Sequence, residues 1–343
     1  MNILITGVAG FIGSHLVSHL LSMGATVVGI DNLFNNNDLD LKRERLAHLG
    51  IDTEAIGSRS TLTGTGGWRF MRLDVLDVKG VDELFAREHF DAVFHLAAVT
   101  GSHLSSTNAA LCFDVNVRGT GSVLEAARRH GTRHVLFASS SAVYDRNVHS
   151  PITETASAGT PTQAYAASKR AAEMMCSAYA HQFGMHITVF RFFNAYGIRG
   201  RKDSIPMRLI RDVLEGNEIK LPPHGGIVRD FTYIEDILEG MLAALSTTSI
   251  NLSGNSYDLF NIGRSKPVSI ETLVQTIAAH VGRPANIVRT LSGYLTFGEQ
   301  PEIYADTTKL ERDLAYSPVW DCEEALPSVI DWFRSHYHVT FDM

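Results

Sequence analysis

The stretch NILITGVAGFIGSH, residues 2–15, constrains the fold more than any other part of the chain. An apolar run of strand length ends at Thr6, and Gly7, Gly10 and Gly13 follow. Ile12, Leu16, Val17, Leu20 and Leu21 then repeat on one face of a helix that should stop at Gly24. Glycine has no Cβ, so the chain can turn tightly here and bring its backbone close to an anion. The helix that opens inside the turn offers free N–H groups and its positive dipole end. A tight structural turn is the bland reading of a glycine triplet. Its place between a strand and a helix favours a dinucleotide site.

The next strand run, TVVGID (26–31), ends in an acid at the distance where a ribose hydroxyl is held. Asp31 would bond the 2′-hydroxyl and repel a 2′-phosphate, so NAD is favoured over NADP. Further strand runs are RFMRLD (69–74), DAVFHLA (91–97), HVLFASS (134–140) and HITVFRF (186–192). Asp74 and Val75 would lie beside the adenine. Helical patterns separate several of these runs, among them GTGSVLEAARRHG, closed by Gly131. Val- and Ile-rich strands alternating with helices predict a Rossmann-type α/β fold, a doubly wound parallel sheet covered on both faces. Residues 51–67, rich in Ser, Thr and Gly, are expected to be a surface loop. The last third mixes helices such as SIETLVQTIAAHVG with Pro- and Gly-bearing loops. It is expected to form a smaller α/β C-terminal substrate domain. The expected division is 1–192 for the NAD-binding domain and 193–343 for the substrate domain, with a segment near 228–262 rejoining the first.

Composition excludes several classes. The 343 residues are 45% apolar and 20% charged, as in a soluble globular protein. A net charge of −7 argues against nucleic acid and an anionic membrane as partners. Cys112, Cys176 and Cys322 make no CxxC pair, so buried thiols in a reducing, cytoplasmic setting are expected. Neither a signal peptide nor a stretch of membrane-spanning length is expected. His15 and His19 share a helix face with no third ligand suggested, and His336 and His338 suit a surface; no metal is expected. There is no GxSxG elbow and no P-loop. The glycosylation pattern NLS (251–253) has no meaning in a cytoplasmic protein.

The stretch QAYAASKRAAE (163–173) sets Tyr165 four residues before Lys169 on a helical pattern. The two side chains share a face. A free tyrosine has a pKa near 10, and a nearby ammonium favours its phenolate. A half-buried tyrosine with a solvated lysine is the alternative. Ser140 falls at the end of the strand 134–140, where α/β sheets place ligands. Its hydroxyl could share a substrate hydroxyl with Tyr165.

With these stretches in view, the chain resembles the extended short-chain dehydrogenase/reductase family of NAD-dependent sugar-nucleotide epimerases and dehydratases. The likeness is carried by ITGVAGFIG with its GxxGxxG spacing, HLAA (95–98), VNVRGT (115–120), SSSAVY (139–144), YAASK (165–169), RFFNAYG (191–197), RDFTYIED (229–236) and YADTTKL (304–310), nearly the whole chain. It implies a proton-relay triad of Ser140, Tyr165 and Lys169, with Ser141 as the fallback serine. It implies that Lys169 also bonds the nicotinamide ribose. It adds Phe11, Ile12, Asn32, Leu96, Ala97 and Ala98 to the cofactor contacts, and makes Asn116 a structural asparagine that orders a water or the backbone. Asn194, Arg229 and Glu299 fall where the family contacts the nucleoside diphosphate, and Ser140, Ser141 and Tyr165 face the sugar. Arg229 suits phosphate by its fork geometry; an ion pair with Asp230 is the alternative. Related galactose epimerases have an arginine before a Gly-Asp pair, where this chain has Thr296 before Gly298 and Glu299. The helices near 110–130 and 163–183 pair across a two-fold axis in the family, which implies a homodimer.

Related dehydratases carry an Asp-Glu pair after the catalytic hydroxyl, and decarboxylases keep the Glu. Here Ser141 and Ala142 stand there, so the acid/base for elimination is missing. Epimerisation is favoured. DLDLKRERLAHL (38–49), GIRGRKD (197–203), RDFTYIED and NIGRSKPV (261–268) look like the UDP-glucuronate 4-epimerase branch, in which the arginine at the place of Arg201 meets the substrate carboxylate. A basic loop that solvates itself is the alternative for Arg201, and the branch often has threonine at the place of Asn194. A 4-epimerase of UDP-glucose or UDP-N-acetylglucosamine is the second reading. A sugar dehydrogenase would accumulate NADH. A non-catalytic NAD-binding regulator would typically lack the Tyr or Lys that this chain keeps.

Overall fold

A computed structural model describes residues 1–35, 38–58, 60–100, 102–223, 226–247, 256–290 and 302–337. Glu299, His338 and the NLS stretch lie outside them. The chain divides into two compact units. The first comprises residues 1–144, 158–191 and 241–260, the second 145–157, 192–240 and 261–343.

The strand runs become β1 (Asn2–Thr6), β2 (Thr26–Asp31), β4 (Arg69–Arg72), β5 (Ala92–His95), β6 (His134–Ser140) and β7 (His186–Phe192). β1 pairs in parallel with both β2 and β5, β2 with β4, and β5 with β6. The eight-stranded sheet runs from the strand Tyr257–Ile262 through β7, β6, β5, β1, β2 and β4 to β3 (Thr61–Thr63). The chain therefore builds outward from β1 on one side and returns to build outward on the other. The reversal lies between β1 and β5, the switch point at which such sheets leave a crevice at the strands' C-terminal ends.

The stretch 51–67 corrects one expectation. It is not only loop, because β3 pairs antiparallel with β4 as an edge strand. Trp68 is fully buried and donates its indole N–H to Leu49 O at 2.9 Å, which anchors the hairpin. Three residues, Thr-Leu-Thr, are too short for period-two alternation to announce a strand.

Helices α1 (Phe11–Ser22), α2 (Leu39–His48) and α3 (Val78–Glu88) fill the first half of the unit. Two short helices, α4 (Ser102–Thr107) and α5 (Ala109–Phe113), lead into a π-helical turn (Asp114–Gly119), then α6 (Thr120–Arg129) and α7 (Ala164–Phe183). α1 stops as its glycine predicts, with Gly24 at φ +77°. α3 buries Val81, Leu84 and Phe85, and Phe85 meets Phe90 edge-on at 5.3 Å. Each such side chain contributes about 1.5–3 kcal/mol of burial. One continuous core joins α3, α6 and α7 to strands β1, β2, β4, β5, β6 and β7.

In the second unit, Val228–Arg229 pairs with Val268–Ser269 and Glu302–Ile303, Ala195–Tyr196 with Thr232–Tyr233, and Ile219–Leu221 with Ile287–Arg289. Residues 145–157 belong here because Ile152 bridges to the 304–306 stretch, giving its carbonyl to Asp306 N and taking the carbonyl of Tyr304, and because Asn261 donates its side-chain amide to Ile152 O at 2.7 Å. Two buried carboxylates hold loops. Asp230 accepts from the backbone N–H groups of Arg264, Ser265 and Ala305 at 2.7–3.1 Å. Asp236 accepts from Tyr316 Oη and the N–H groups of Val319 and Trp320 at 2.8–3.0 Å. Burial pushes both carboxyls above their ordinary range, and these donors pull against it.

Cys112, Cys176 and Cys322 are free and buried. Among the described residues no helix is long and apolar enough to cross a membrane, and no group of side chains could hold a metal. His15 and His19 each turn Nδ1 to a carbonyl one turn back, Phe11 O and His15 O.

His134, at the start of β6, is buried, bonds Thr188 Oγ1 at 2.8 Å and packs edge-on against His186. Burial, with His186 beside it, pushes its pKa down to about 3. Unfolded histidine titrates near 6.5. The unfolded chain thus takes up a proton that the folded chain refuses, and stability falls as pH drops below about 6.5. Between about pH 7 and pH 5 this residue should cost about 2 kcal/mol. Urea midpoints of the wild type and of His134→Gln at both pH values test it. The wild type should lose that much more than the variant, and equal losses would mean that His134 takes up its proton as readily in the folded chain as in the unfolded one.

Candidate active site

β1 delivers Gly7 at φ +71°, a conformation L side chains rarely adopt. Its N–H and that of Val8 both bond Ile30 O, and Gly10 N bonds Gly7 O. A Cβ on Gly7 would stand 2.7 Å from Ala97 N. On Gly10 it would meet Gly7 O at 2.9 Å, and on Gly13 at 2.5 Å. Gly10 caps α1 with no side-chain hydrogen bond, and no acid sits in the first turn, where Phe11 and Ile12 lie. The loop is a bare cradle of backbone at a helix N-terminus, which fits a pyrophosphate.

At the ends of β2 and β4 the structure gathers the adenosine candidates. Asp31 is buried and accepts from Ala9 N, Leu33 N and Lys42 Nζ, the last at 3.1 Å. Asn32 donates to Asp74 Oδ2 at 2.9 Å, and Asp74 accepts from Leu76 N. Val75 packs against Gly119 in the π turn. Two residues that the motifs did not single out grip this loop from α2. Lys42 neutralises Asp31, and buried Arg45 reaches Ala9 O at 3.3 Å and Asp38 at 3.1 Å. Burial lowers the Arg45 pKa, and Asp38 opposes it. The signal for Arg45 was its place one turn after Leu41 on the buried stripe of α2.

Leu96, Ala97 and Ala98 follow β5, with Leu96 N bonded to Thr6 O and Ala97 N to Thr6 Oγ1 at 3.1 Å. A chain of hydrogen bonds starts there. Thr6 also bonds His95 Nδ1 at 2.7 Å. Thr120 donates to Asn116 O at 2.6 Å and so accepts from His95 Nε2 at 3.0 Å. His95 is therefore the neutral Nε2–H tautomer; burial, and then the charge of Lys169, push it down to about 3. Asn116 uses its whole amide on protein: Oδ1 accepts from Val99 N, and Nδ2 donates to Val99 O and Ser168 Oγ. These bonds order the backbone at Val99. The π turn that carries it is a device often found at functional sites.

Ser140 ends β6, and its Oγ accepts from Ala142 N at 3.2 Å, capping the turn Ser141–Val143. Lys169 on α7 is buried and donates to Ala138 O at 2.7 Å, two residues before Ser140, with its ammonium 5.0 Å from the Phe137 ring centroid. Tyr165 lies one turn earlier on α7, half-buried against the core. Lys169 is thus not the solvated surface lysine of the alternative reading. Burial pushes its pKa down to about 8, against the pull of Cys112, Cys176 and Glu173. It remains an ammonium at neutral pH and loses its charge above about pH 8.

In the second unit, Asn194 donates to Asp230 O at 3.0 Å and its own carbonyl accepts from Thr232 N. Arg229 is buried in the strand Val228–Arg229 and donates to Val228 O at 2.9 Å. The Asp230 carboxylate is committed to backbone N–H groups. Arg201 forms a two-pronged pair with Asp203, 2.9 Å at each contact, with 38% of its side chain exposed.

A model of the NAD dependent epimerase/dehydratase family matches residues 3–263. The chain belongs to this family. The UDP-glucuronate 4-epimerase of Thermodesulfobacterium geofontis is 32% identical over 336 residues, covering 97% of this chain and 96% of that protein. The structure of UDP-glucuronic acid 4-epimerase from Bacillus cereus, in complex with UDP-glucuronic acid and NAD, superposes with a TM-score of 0.84 at 29% identity, covering 98% of this chain and 100% of that one. UDP-glucose 4-epimerase from Thermotoga maritima, with UDP-glucose, gives 0.81 at 26% identity, covering 98% and 100%. NAD is the cofactor. The glycine cradle, the uncapped α1 terminus and Asp31 all suit it.

Gly7→Ala should weaken NAD binding by roughly tenfold or more, since left-handed backbone costs a side chain about 1–2 kcal/mol and the methyl has nowhere to go. Calorimetric titration of the NAD-stripped protein measures it. Unchanged affinity would mean that the turn can move away from Ala97 at no cost.

Proposed function

We propose that the chain is a UDP-glucuronate 4-epimerase, interconverting UDP-glucuronate and UDP-galacturonate. The observation that carries this is the end of β6. Ser140 stands there with Lys169 anchored two residues back and Tyr165 one turn away, and the turn that follows, Ser141–Val143, holds no carboxylate. Elimination and its relatives need an acid at that place. Simple inversion needs only one group that takes a proton and gives it back.

Tyr165 is that group. It removes the proton of the sugar 4-hydroxyl, with Ser140 donating to or accepting from the same oxygen. The Lys169 ammonium favours the phenolate electrostatically. The loop of Gly7, Gly10 and Gly13, with Asp31, would hold NAD, which would accept a hydride from sugar C4 and give it back. Rotation of the resulting 4-keto sugar would present its other face, and as the hydride returns Tyr165 would return the proton to the inverted hydroxyl. Arg229 binds diphosphate, with Asn194 beside its strand, and Arg201 meets the uronate carboxylate with a planar fork.

The pairing of Arg201 with Asp203 favours a second reading, a 4-epimerase of a neutral UDP-sugar. An arginine whose fork is held by its own loop demands no substrate charge. Incubation with UDP-glucuronate without added NAD, followed by chromatography, separates the two. UDP-galacturonate with no pentose and no net NADH is the expected result. Arg201→Met should then cost about ten- to a hundredfold in kcat/KM, the loss of a charge-assisted contact. Turnover of UDP-glucose alone, insensitive to this substitution, would overturn the uronate assignment.

A further inference from the structure

Beneath Ser140 and Lys169 lies a buried carboxylate that the mechanism above does not use. Glu173 is 0% exposed. Its Oε1 accepts from Ser139 Oγ at 2.6 Å and Arg191 Nε at 2.9 Å. Its Oε2 accepts from Arg191 Nη2 at 2.7 Å and Arg170 Nη1 at 3.1 Å. Four donors fill a carboxylate's capacity. Arg191 belongs to β7, and its guanidinium lies 4.6 Å from the Tyr144 ring centroid, closing the turn after Ser140. One side chain therefore ties α7 to β6, to β7 and to that turn.

We propose that Glu173 is a positioning residue, which registers the Tyr165–Lys169 face of α7 against Ser140. The register has two rungs. Lys169 takes the carbonyl of Ala138, and Glu173, one turn on, takes the hydroxyl of Ser139. Losing the second rung lets α7 slide or roll against β6, and a misplacement of about 1 Å in a reacting group can cost a hundredfold in rate.

The same carboxylate sets the field around Lys169. The ammonium faces the Cys112 thiol from α5, His95 from β5, Cys176 and Glu173 from α7, and the Phe137 ring from β6. The imidazole is neutral, and burial pushes the Cys176 thiol upward. Glu173 stays ionised: burial pushes it up, but Arg191, Ser139 and Arg170 hold it below the carboxylate range. It is thus the anion of this set. Removing its charge leaves the guanidinium of Arg191 in place, and Lys169 then gives up its proton at lower pH.

This rests on reading Ser140, Tyr165 and Lys169 as the proton-moving site, so one measurement must not depend on turnover. Glu173→Gln, Glu173→Asp and the paired Glu173→Met, Arg191→Met variant separate the roles. The pair guards against misfolding, since a buried charge stripped of its partner is strongly destabilising and the apolar pair does not leave one. Phenolate difference absorbance against Tyr165→Phe follows Tyr165 directly. In Glu173→Gln, Tyr165 should ionise at higher pH, and the alkaline limb of the kcat profile should fall by about one pH unit. KM should stay within about twofold, because no substrate contact is removed. Glu173→Asp should keep the limb and lose kcat by about tenfold, through register alone. If Glu173→Gln does not fold, a folded paired variant with reduced kcat and unchanged KM supports the role. Wild-type kcat, pH limb and phenolate titration in the folded variants, with only Tm lowered, would overturn it. If the wild type turns over no UDP-sugar, the functional reading fails, and the phenolate titration still decides the role of Glu173.

Discussion

Gly7 passes Ala97 with no room for a methyl group, and the organisation of the first unit depends on that approach. β1 and β5 are neighbours at the switch point, so the loops that leave them meet at the C-terminal ends of these two central strands. Because the approach is so tight, Thr6 can take the Ala97 N–H on its hydroxyl. That bond orients Thr6, which orients His95, which orients Thr120 toward Asn116. Asn116 in turn bonds Val99 and, near the start of α7, Ser168. The cofactor turn and the Tyr165 helix are thus two ends of one directional hydrogen-bond network. A buried neutral histidine serves as its rigid link, since a charged one would reverse a bond at Thr6.

Much of this was legible where the signal is local. The glycine turn, Asp31 at a strand end, and Tyr165 before Lys169 each lie within a few residues, so spacing alone brings the groups together. Strand and helix runs carry their own periodicity, and β1, β2, β6 and β7 span the ranges their apolar runs predict. What spacing could not supply were partners distant in sequence. From α2, Lys42 reaches Asp31 at the end of β2 and Arg45 reaches Ala9 in the loop after β1, Glu173 needs Arg191 from the next strand, and Ile152 finds the 304–306 stretch across half the chain. The edge strand β3 was missed for another reason. Its stability comes from Trp68 and the β4 backbone rather than from three residues of its own. Arg229 illustrates the same limit, because adjacency to Asp230 suggested an ion pair that backbone donors from three other residues pre-empt.

The buried charges fall into two groups. Asp230 and Asp236 accept mainly from backbone N–H groups and act as staples for loops. Glu173 and Arg191 satisfy one another, each strengthening the other's charged form against burial. Lys169 belongs to neither group. It gives a hydrogen bond to a carbonyl, has no carboxylate in contact among the described residues, and burial leaves its pKa near the working range, at about 8. A fully paired lysine would be a structural cation. One held by a carbonyl and an aromatic face keeps donors and charge available for a reacting group, which is why its pKa rather than that of Glu173 is poised to matter.

This division bears on the chemistry. Removing water or carbon dioxide from a 4-keto sugar requires a carboxyl group free to donate or accept a proton. Four buried carboxylates among the described residues are committed. Asp31 is held by Lys42 and two backbone N–H groups, Glu173 by four donors, and Asp230 and Asp236 by three each. The turn after Ser140 offers none. Inversion at one carbon demands less, namely a single hydroxyl that loses and regains one proton beside a fixed positive charge. The proposed inversion asks for that much at the end of β6, where Lys169 bonds Ala138 O two residues before Ser140.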